Sequence, residues 1–286
     1  MFSFFLLTYI VTCGLWIPFQ LLHFPMISEL NHAPTIYILP GIAFGVTGMA
    51  IIMTLIIQGK TGLIRLLQRF VFWRAGLHWY AFVIVGLPVI EVLIGFALPG
   101  SQDALNAFSL NSLSLYPIAY IMHFYFGPLF EEAGWRGFAL PRLQKRFGPL
   151  LGTLILGFFW GLWHLPIYLP SNIQEAGVGG GLFEFAMFIV TAIALSYIFT
   201  WIFNNTKGSL LFCILLHGSI DGTSTYILTL ADKHLLSTAS MTNIQMGLPI
   251  GCVILALLII VFTKGRLSYQ RYKLEAEPFD LHMTIM

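Results

Sequence analysis

The sequence predicts an all-α polytopic membrane protein, with about eight transmembrane helices and one amphipathic helix at the interface. Three observations carry that prediction. Hydrophobic residues make up 58% of the chain and charged residues 9%, against about 25% charged in an average soluble domain. The apolar residues fall in stretches long enough to cross a bilayer. The 14 Lys and Arg residues gather on one side of those stretches.

Spans are expected at 2–22, 34–58, 79–99, 113–140, 150–170, 182–203, 208–230 and 247–263. In a chain of 286 residues they leave no room for a second soluble domain, so 1–286 is read as a single integral membrane domain. The stretch 2–22 lacks a basic leader and a small-residue cleavage site, and is read as a retained span. With Arg136 set aside as part of a buried motif, Lys233 is the lone cation among the connections after odd-numbered spans. The positive-inside rule then puts both termini in the cytoplasm. Short connections fit a plasma (inner) membrane, and no nucleic-acid partner is expected.

Between spans two and three, Leu63, Leu66, Leu67, Phe70 and Trp73 recur at helical spacing with Arg65, Arg69 and Arg74 among them. This predicts an amphipathic helix on the cytoplasmic surface. Glu29, Asp103, Glu175, Glu184, Asp232 and the run Gly177 to Gly181 read as solvated loops, and the chain after Arg266 as a short polar end. Cys13, Cys213 and Cys252 lie in apolar segments without paired spacing and are read as packing residues.

Ionisable groups inside the apolar spans cost several kcal/mol each unless paired or functional. This chain has Glu131, Glu132 and Arg136 on the fourth span, His164 on the fifth, His217 and Asp221 on the seventh, and also Glu91 and His123. Glu132 and Arg136 are four apart in the favourable order for a helical ion pair, while Glu131 is turned by roughly 100°. One glutamate is expected to be held and the other presented. His217 and Asp221 share a helical face. Counting from the nearest cytoplasmic charges or span start, Glu131 lies roughly 16 Å deep, His217 roughly 15 Å and His164 roughly 21 Å. Three helices can thus bring these groups to one level, lining a polar cavity. Pro128 removes the helical partner of the Phe124 carbonyl, so a kink is expected beside Glu131. Glu91 and His123 are assigned structural roles.

Glu131-Glu132-x-x-x-Arg136, Trp160-x-x-x-His164 and His217-x-x-x-Asp221, in this order on three spans, resemble the motifs of the CPBP family. These are the CAAX-protease and bacteriocin-processing (Abi) intramembrane proteases, which include the Rce1-type CAAX prenyl endopeptidases. The motif-bearing core covers about 110–230. Two departures stand out. Phe is usual where Trp160 stands, a change expected to matter little, and Asn is common where Asp221 adds a negative charge.

The resemblance implies an intramembrane endopeptidase acting on membrane-embedded peptides or lipidated proteins, with CAAX-type substrates typical of the eukaryotic relatives. Glu131 is then the general base, His164 positions the water, and His217 with Asp221 stabilises the oxyanion or moves the proton. Glu132, Arg136 and Trp160 support them. The same residues, Glu131, His164, His217 and Asp221, alternatively supply ligands for a zinc ion, so the cofactor is either zinc or none. An ion-coupled transporter and a non-proteolytic scaffold or immunity protein are the readings from other classes.

Overall fold

The computed structural model describes residues 1–22, 36–101 and 104–275, and every regular element among them is helical. In chain order these are α1 (Phe2–Leu21), α2 (Gly41–Gln68), α3 (Leu77–Ala97), α4 (Tyr116–Phe126), α5 (Pro128–Trp163), α6 (Leu165–Asn205), α7 (Leu210–Asp232), α8 (Thr238–Phe262) and α9 (Tyr269–Glu275), with two single turns between α3 and α4. Glu29 and Asp103, both read as loop residues, fall outside the described residues, as does the start of the second expected span.

Seven helices among the described residues are long and apolar enough to cross a membrane, where about eight were expected. The difference arises at the fourth and fifth expected spans. Gly127 leaves helical geometry (φ −140°, ψ −70°), so the 11-residue α4 is cut off from the Pro128 helix and is too short to cross alone. Beyond it, Gly148 is non-helical (φ 76°, ψ 167°) and two helical segments of α5 meet there, so the break expected at Gly148-Pro149 is present, with the second segment, from Pro149 to Trp163, short for a span of its own. The run Gly177 to Gly181 is not a loop. Gly177 is non-helical (φ 71°, ψ 172°) and joins two helical segments of α6, the second of which takes in the rest of the glycine run. The end after Arg266 also differs from its expectation as merely polar, since α9 buries Tyr269 and Tyr272.

The segment expected as an amphipathic surface helix is the end of α2, set off by a break at Gly59 (φ 65°) and ending at Gln68 rather than near Trp73. Its Leu66 is buried, and it docks where the small Gly137 leaves space beside Leu66 and Leu210. Its opposite face keeps Ile64 and Leu67 exposed, as an interfacial helix requires.

α7 is the axis of the bundle. In its span-length window 78% of residues are buried, against 22% to 44% for the other six, and none of its large apolar side chains is exposed. The other spans expose Leu, Ile, Phe and Val outward, a surface suited to lipid. Around α7, α5 packs along α6, α3 along α8, and α4 against α7. Small residues permit the close approaches on which membrane helices rely. A Cβ added at Gly157 would lie 2.7 Å from the Ile193 backbone, and one at Gly222 2.8 Å from Tyr120.

Helix α1 pins the hinge between α5 and α6. Trp163 donates its indole N–H to Thr12 (3.1 Å), Tyr9 donates to the Phe159 carbonyl (2.5 Å), and Gln20 donates to the Pro166 carbonyl. These bonds fix His164, the single residue between the two helices, on the inner side of the bundle.

Candidate functional site

The break at Gly127 and Pro128 starts a new helix that carries Glu131 and Glu132 in its first turn and a half. It passes directly into a π-helical turn over Ala133–Ala139, every residue of which is buried. Such turns redirect side chains and leave carbonyls seeking other partners. Here the Phe130 carbonyl accepts a hydrogen bond from the Thr47 hydroxyl of α2. Gly134 lets the turn lie against Val46.

Glu132 is wholly buried. Its Oε1 accepts from Arg136 Nη1 at 2.9 Å and from His217 Nδ1 at 2.8 Å. Arg136, also wholly buried, is held between two rings, 4.1 Å from the Trp160 centroid and 3.9 Å from that of Phe199. Its Nε and Nη2 make no hydrogen bond among the described residues. Ring faces therefore take the place of acceptors for the rest of the cation.

Glu131 is placed differently. Its Oε2 accepts the indole N–H of Trp160 at 3.0 Å, and it lines a cavity of about 730 Å³. Oε1 lies toward Gly127, where an added Cβ would come within 3.6 Å of it. The sequence expectation of one held and one presented glutamate is met in this geometry. The departure from Phe to Trp160, expected to be of little consequence, supplies a donor to Glu131 that a phenyl ring lacks.

Trp160 also joins the two histidines. Its ring stands edge-on to His164 (5.8 Å between centroids) and to His217 (5.4 Å). His164 Nδ1 lies 2.9 Å from the Trp160 carbonyl, one of the last carbonyls of α5 and without a further helical donor. A carbonyl can only accept, so Nδ1 carries the proton and the neutral ring keeps its lone pair on Nε2. His217 differs, because it stands between two carboxylates: its Nδ1–H donates to Glu132. Its Nε2 sits 3.6 Å from Asp221 Oδ2.

Glu131, His164, His217 and Asp221 all line the one cavity, together with His123 and Thr225. Its remaining walls are largely apolar, including Trp16, Ile42, Tyr168 and Phe188. The volume suits a peptide or lipid segment of moderate size. Glu91 lies apart, buried on α3 and absent from these walls.

His123, assigned a structural role from sequence, belongs to the site. Its Nδ1 is 3.9 Å from Asp221 Oδ2 and its Nε2 is 2.6 Å from the Thr225 hydroxyl. Asp221 Oδ2 therefore lies between two imidazoles from different helices. Sequence spacing held no signal for this pairing, since it depends on how α4 packs against α7, closely enough at Gly222 to touch the Tyr120 backbone.

The donor set does not fit a zinc ion as arranged. Among the described residues no three His, Cys, Asp or Glu side chains converge to hold a metal. The Nδ1 bonds of His217 and His164 leave both Nε2 atoms open, so the misfit is one of convergence and of Glu131 Oε2 being taken by Trp160.

Comparison with known proteins covers this same region. Residues 113–223 match the family described as type II CAAX prenyl endopeptidase Rce1-like, a stretch that includes His123, Glu131, Glu132, Arg136, Trp160, His164, His217 and Asp221. CAAX prenyl protease 2 of Methanococcus maripaludis is 26% identical over 110 residues, which cover 38% of this chain and 41% of that protein. The match thus spans about two-fifths of the relative's length.

The buried network makes a stability prediction. Arg136→Ala leaves Glu132 without its cation and is expected to cost about 3–5 kcal/mol. Asp221→Asn is expected to cost under about 1 kcal/mol, because 34% of the Asp221 side chain is exposed. Equilibrium unfolding in mixed lipid–detergent micelles measures both, and equal losses would contradict the assignment of Arg136 as the partner of a buried charge.

Proposed function

From the match of residues 113–223 to the Rce1-like family model, we propose that this chain is an intramembrane endopeptidase that hydrolyses peptide bonds of membrane-associated substrates through a water activated by Glu131. One observation carries the reading. Glu131 meets the cavity with one oxygen fixed by Trp160, while its neighbour Glu132 is consumed by Arg136 and His217.

In the proposed reaction, water donates one hydrogen bond to Glu131 and the other to His164 Nε2, the nitrogen left free by the carbonyl contact. Glu131 takes a proton as the water oxygen bonds to the scissile carbonyl carbon, and the carbonyl oxygen becomes an oxyanion. His217, as an imidazolium held by Glu132 and Asp221, donates its Nε2–H to that charge. The C–N bond then breaks, and the proton passes to the leaving amine. The products are a carboxylate and an amine, with no covalent enzyme intermediate. The apolar walls exclude bulk water, which strengthens each of these interactions.

The substrate class is a membrane-embedded peptide or lipidated protein, of which CAAX-type prenylated proteins are one example. The placement of cations favours a plasma membrane protein with both termini in the cytoplasm, and substrate entry from that half. The side chains supply base, oxyanion partner and proton path themselves.

The direct test is cleavage of membrane-tethered and prenylated peptides by the purified protein. The expected result is cleavage that falls by about 10²-fold or more in Glu131→Ala and persists with a metal chelator. Full cleavage by Glu131→Ala would sink the proposed base. Failure of the wild-type protein to cut any peptide would favour the scaffold reading.

Asp221 raises a second expectation. Where Asn is common in the family it resembles, this chain carries a charge, and His123 faces it. His123→Ala is expected to lower cleavage at least tenfold in the natural background and far less when Asp221 is already Asn. A double-mutant cycle measures this coupling, of about 0.5–3 kcal/mol for groups in contact. Additive losses would show that His123 acts independently of Asp221.

A further inference from the structure

A second pocket, of about 520 Å³, opens at the end of the bundle where the cations gather. It is assembled from three segments distant in sequence: the connection from α2 to α3, the turn between α6 and α7, and α9. Arg74, His78, Lys207 and Arg271 line it, with Trp73 and Asn205, and no carboxylate is among its lining residues. Glu275 pairs with Arg271 Nε (3.0 Å) and Lys207 (3.9 Å) from one side. One carboxylate is thus set against three permanent cations.

The pocket is built rather than incidental. Arg69 clamps its three segments, donating to the Gly208 carbonyl and to the Tyr272 hydroxyl, each at 3.0 Å. Leu210 N–H returns a bond to the Arg69 carbonyl (2.9 Å), and the Ser209 hydroxyl donates to the Phe72 carbonyl (2.6 Å). Tyr80 donates to the Trp73 carbonyl at 2.7 Å. Lys207 takes the left-handed conformation (φ 56°) that glycine normally supplies at a helix end. A lysine is kept there at a cost to the backbone.

Around this rim stand exposed apolar side chains, among them Val71, Trp73, Leu77 and Leu274. A soluble phosphate would make no use of them. An amphiphile with an anionic head and acyl chains would use both features, since basic pockets between membrane helices bind anionic headgroups and interfacial Trp sits at headgroup level. We propose that this pocket is a binding site for the phosphodiester headgroup of an anionic glycerophospholipid, seated by Arg74, Lys207 and Arg271, with its acyl chains against the apolar rim. The site is independent of the cavity that holds Glu131, and the inference does not rest on proteolysis.

The test uses the full chain purified in detergent and titrated with phosphatidylglycerol, phosphatidylcholine or glycerol 3-phosphate. Native mass spectrometry reads the bound lipid and the melting temperature reads stabilisation. Phosphatidylglycerol is expected to bind and stabilise, and the other two are not. The double variant Arg74→Ala/Lys207→Ala is expected to weaken binding on the order of tenfold or more. The control Lys145→Ala/Arg146→Ala removes two exposed cations outside the pocket and is expected to leave binding unchanged. Equal weakening by both pairs would overturn the built site in favour of general surface charge, and so would undiminished binding by the first pair. Glycerol 3-phosphate binding as strongly as the lipid would overturn the lipid assignment. If the double variant does not fold, Arg74→Gln alone carries the same test, because its guanidinium lies over the exposed Trp73 ring.

Discussion

The structure depends on how three ionisable groups are held in the middle of an apolar bundle. Glu132 accepts from Arg136 and from His217 through a single oxygen, and Arg136 closes the arrangement by lying between the rings of Trp160 and Phe199. Removing any one partner leaves a charge that neither lipid nor the bundle can solvate. This network joins the start of α5 to its end, to α6 and to α7, and so sets the positions of Glu131, Trp160 and His217 relative to one another. The π turn, the close approach at Gly134 and the burial of α7 on all sides serve to bring those helices together.

Trp160 is where structure and chemistry meet. One face of its indole covers the Arg136 cation, its N–H fixes a Glu131 oxygen, and its edges meet both histidines. Its backbone carbonyl sets the tautomer of His164. The held glutamate therefore supports the presented one through a shared aromatic ring. That division suits a base that must face water on one side without losing its orientation on the other.

Much of this was legible from residue order. The apolar spans follow from composition and length, and the pairing of Glu132 with Arg136 from their spacing of four. Distances to flanking cations brought Glu131 and His217 to one level, and both line the same cavity. What could not be read depends on contacts between helices. Gly127 ends α4 early because backbone geometry there serves the start of the Pro128 helix, and no hydrophobic pattern records that. At Gly177 two helical segments of α6 meet, and a glycine run read as a loop instead begins the second of them. His123 looked like an isolated intramembrane histidine because its partner Asp221 lies on a helix almost a hundred residues away. The donor role of Trp160 was hidden because the motif registers a ring, whereas the site uses the N–H.

The central claim is that adjacent glutamates divide structure from chemistry. It is tested most directly by comparing Glu131→Gln with Glu132→Gln in the same purified preparation, reading both melting temperature and peptide cleavage. The account predicts that Glu131→Gln melts like the natural protein but does not cleave, whereas Glu132→Gln melts markedly lower. A Glu131→Gln protein that still cleaves, or a Glu132→Gln protein with unchanged melting, would contradict it.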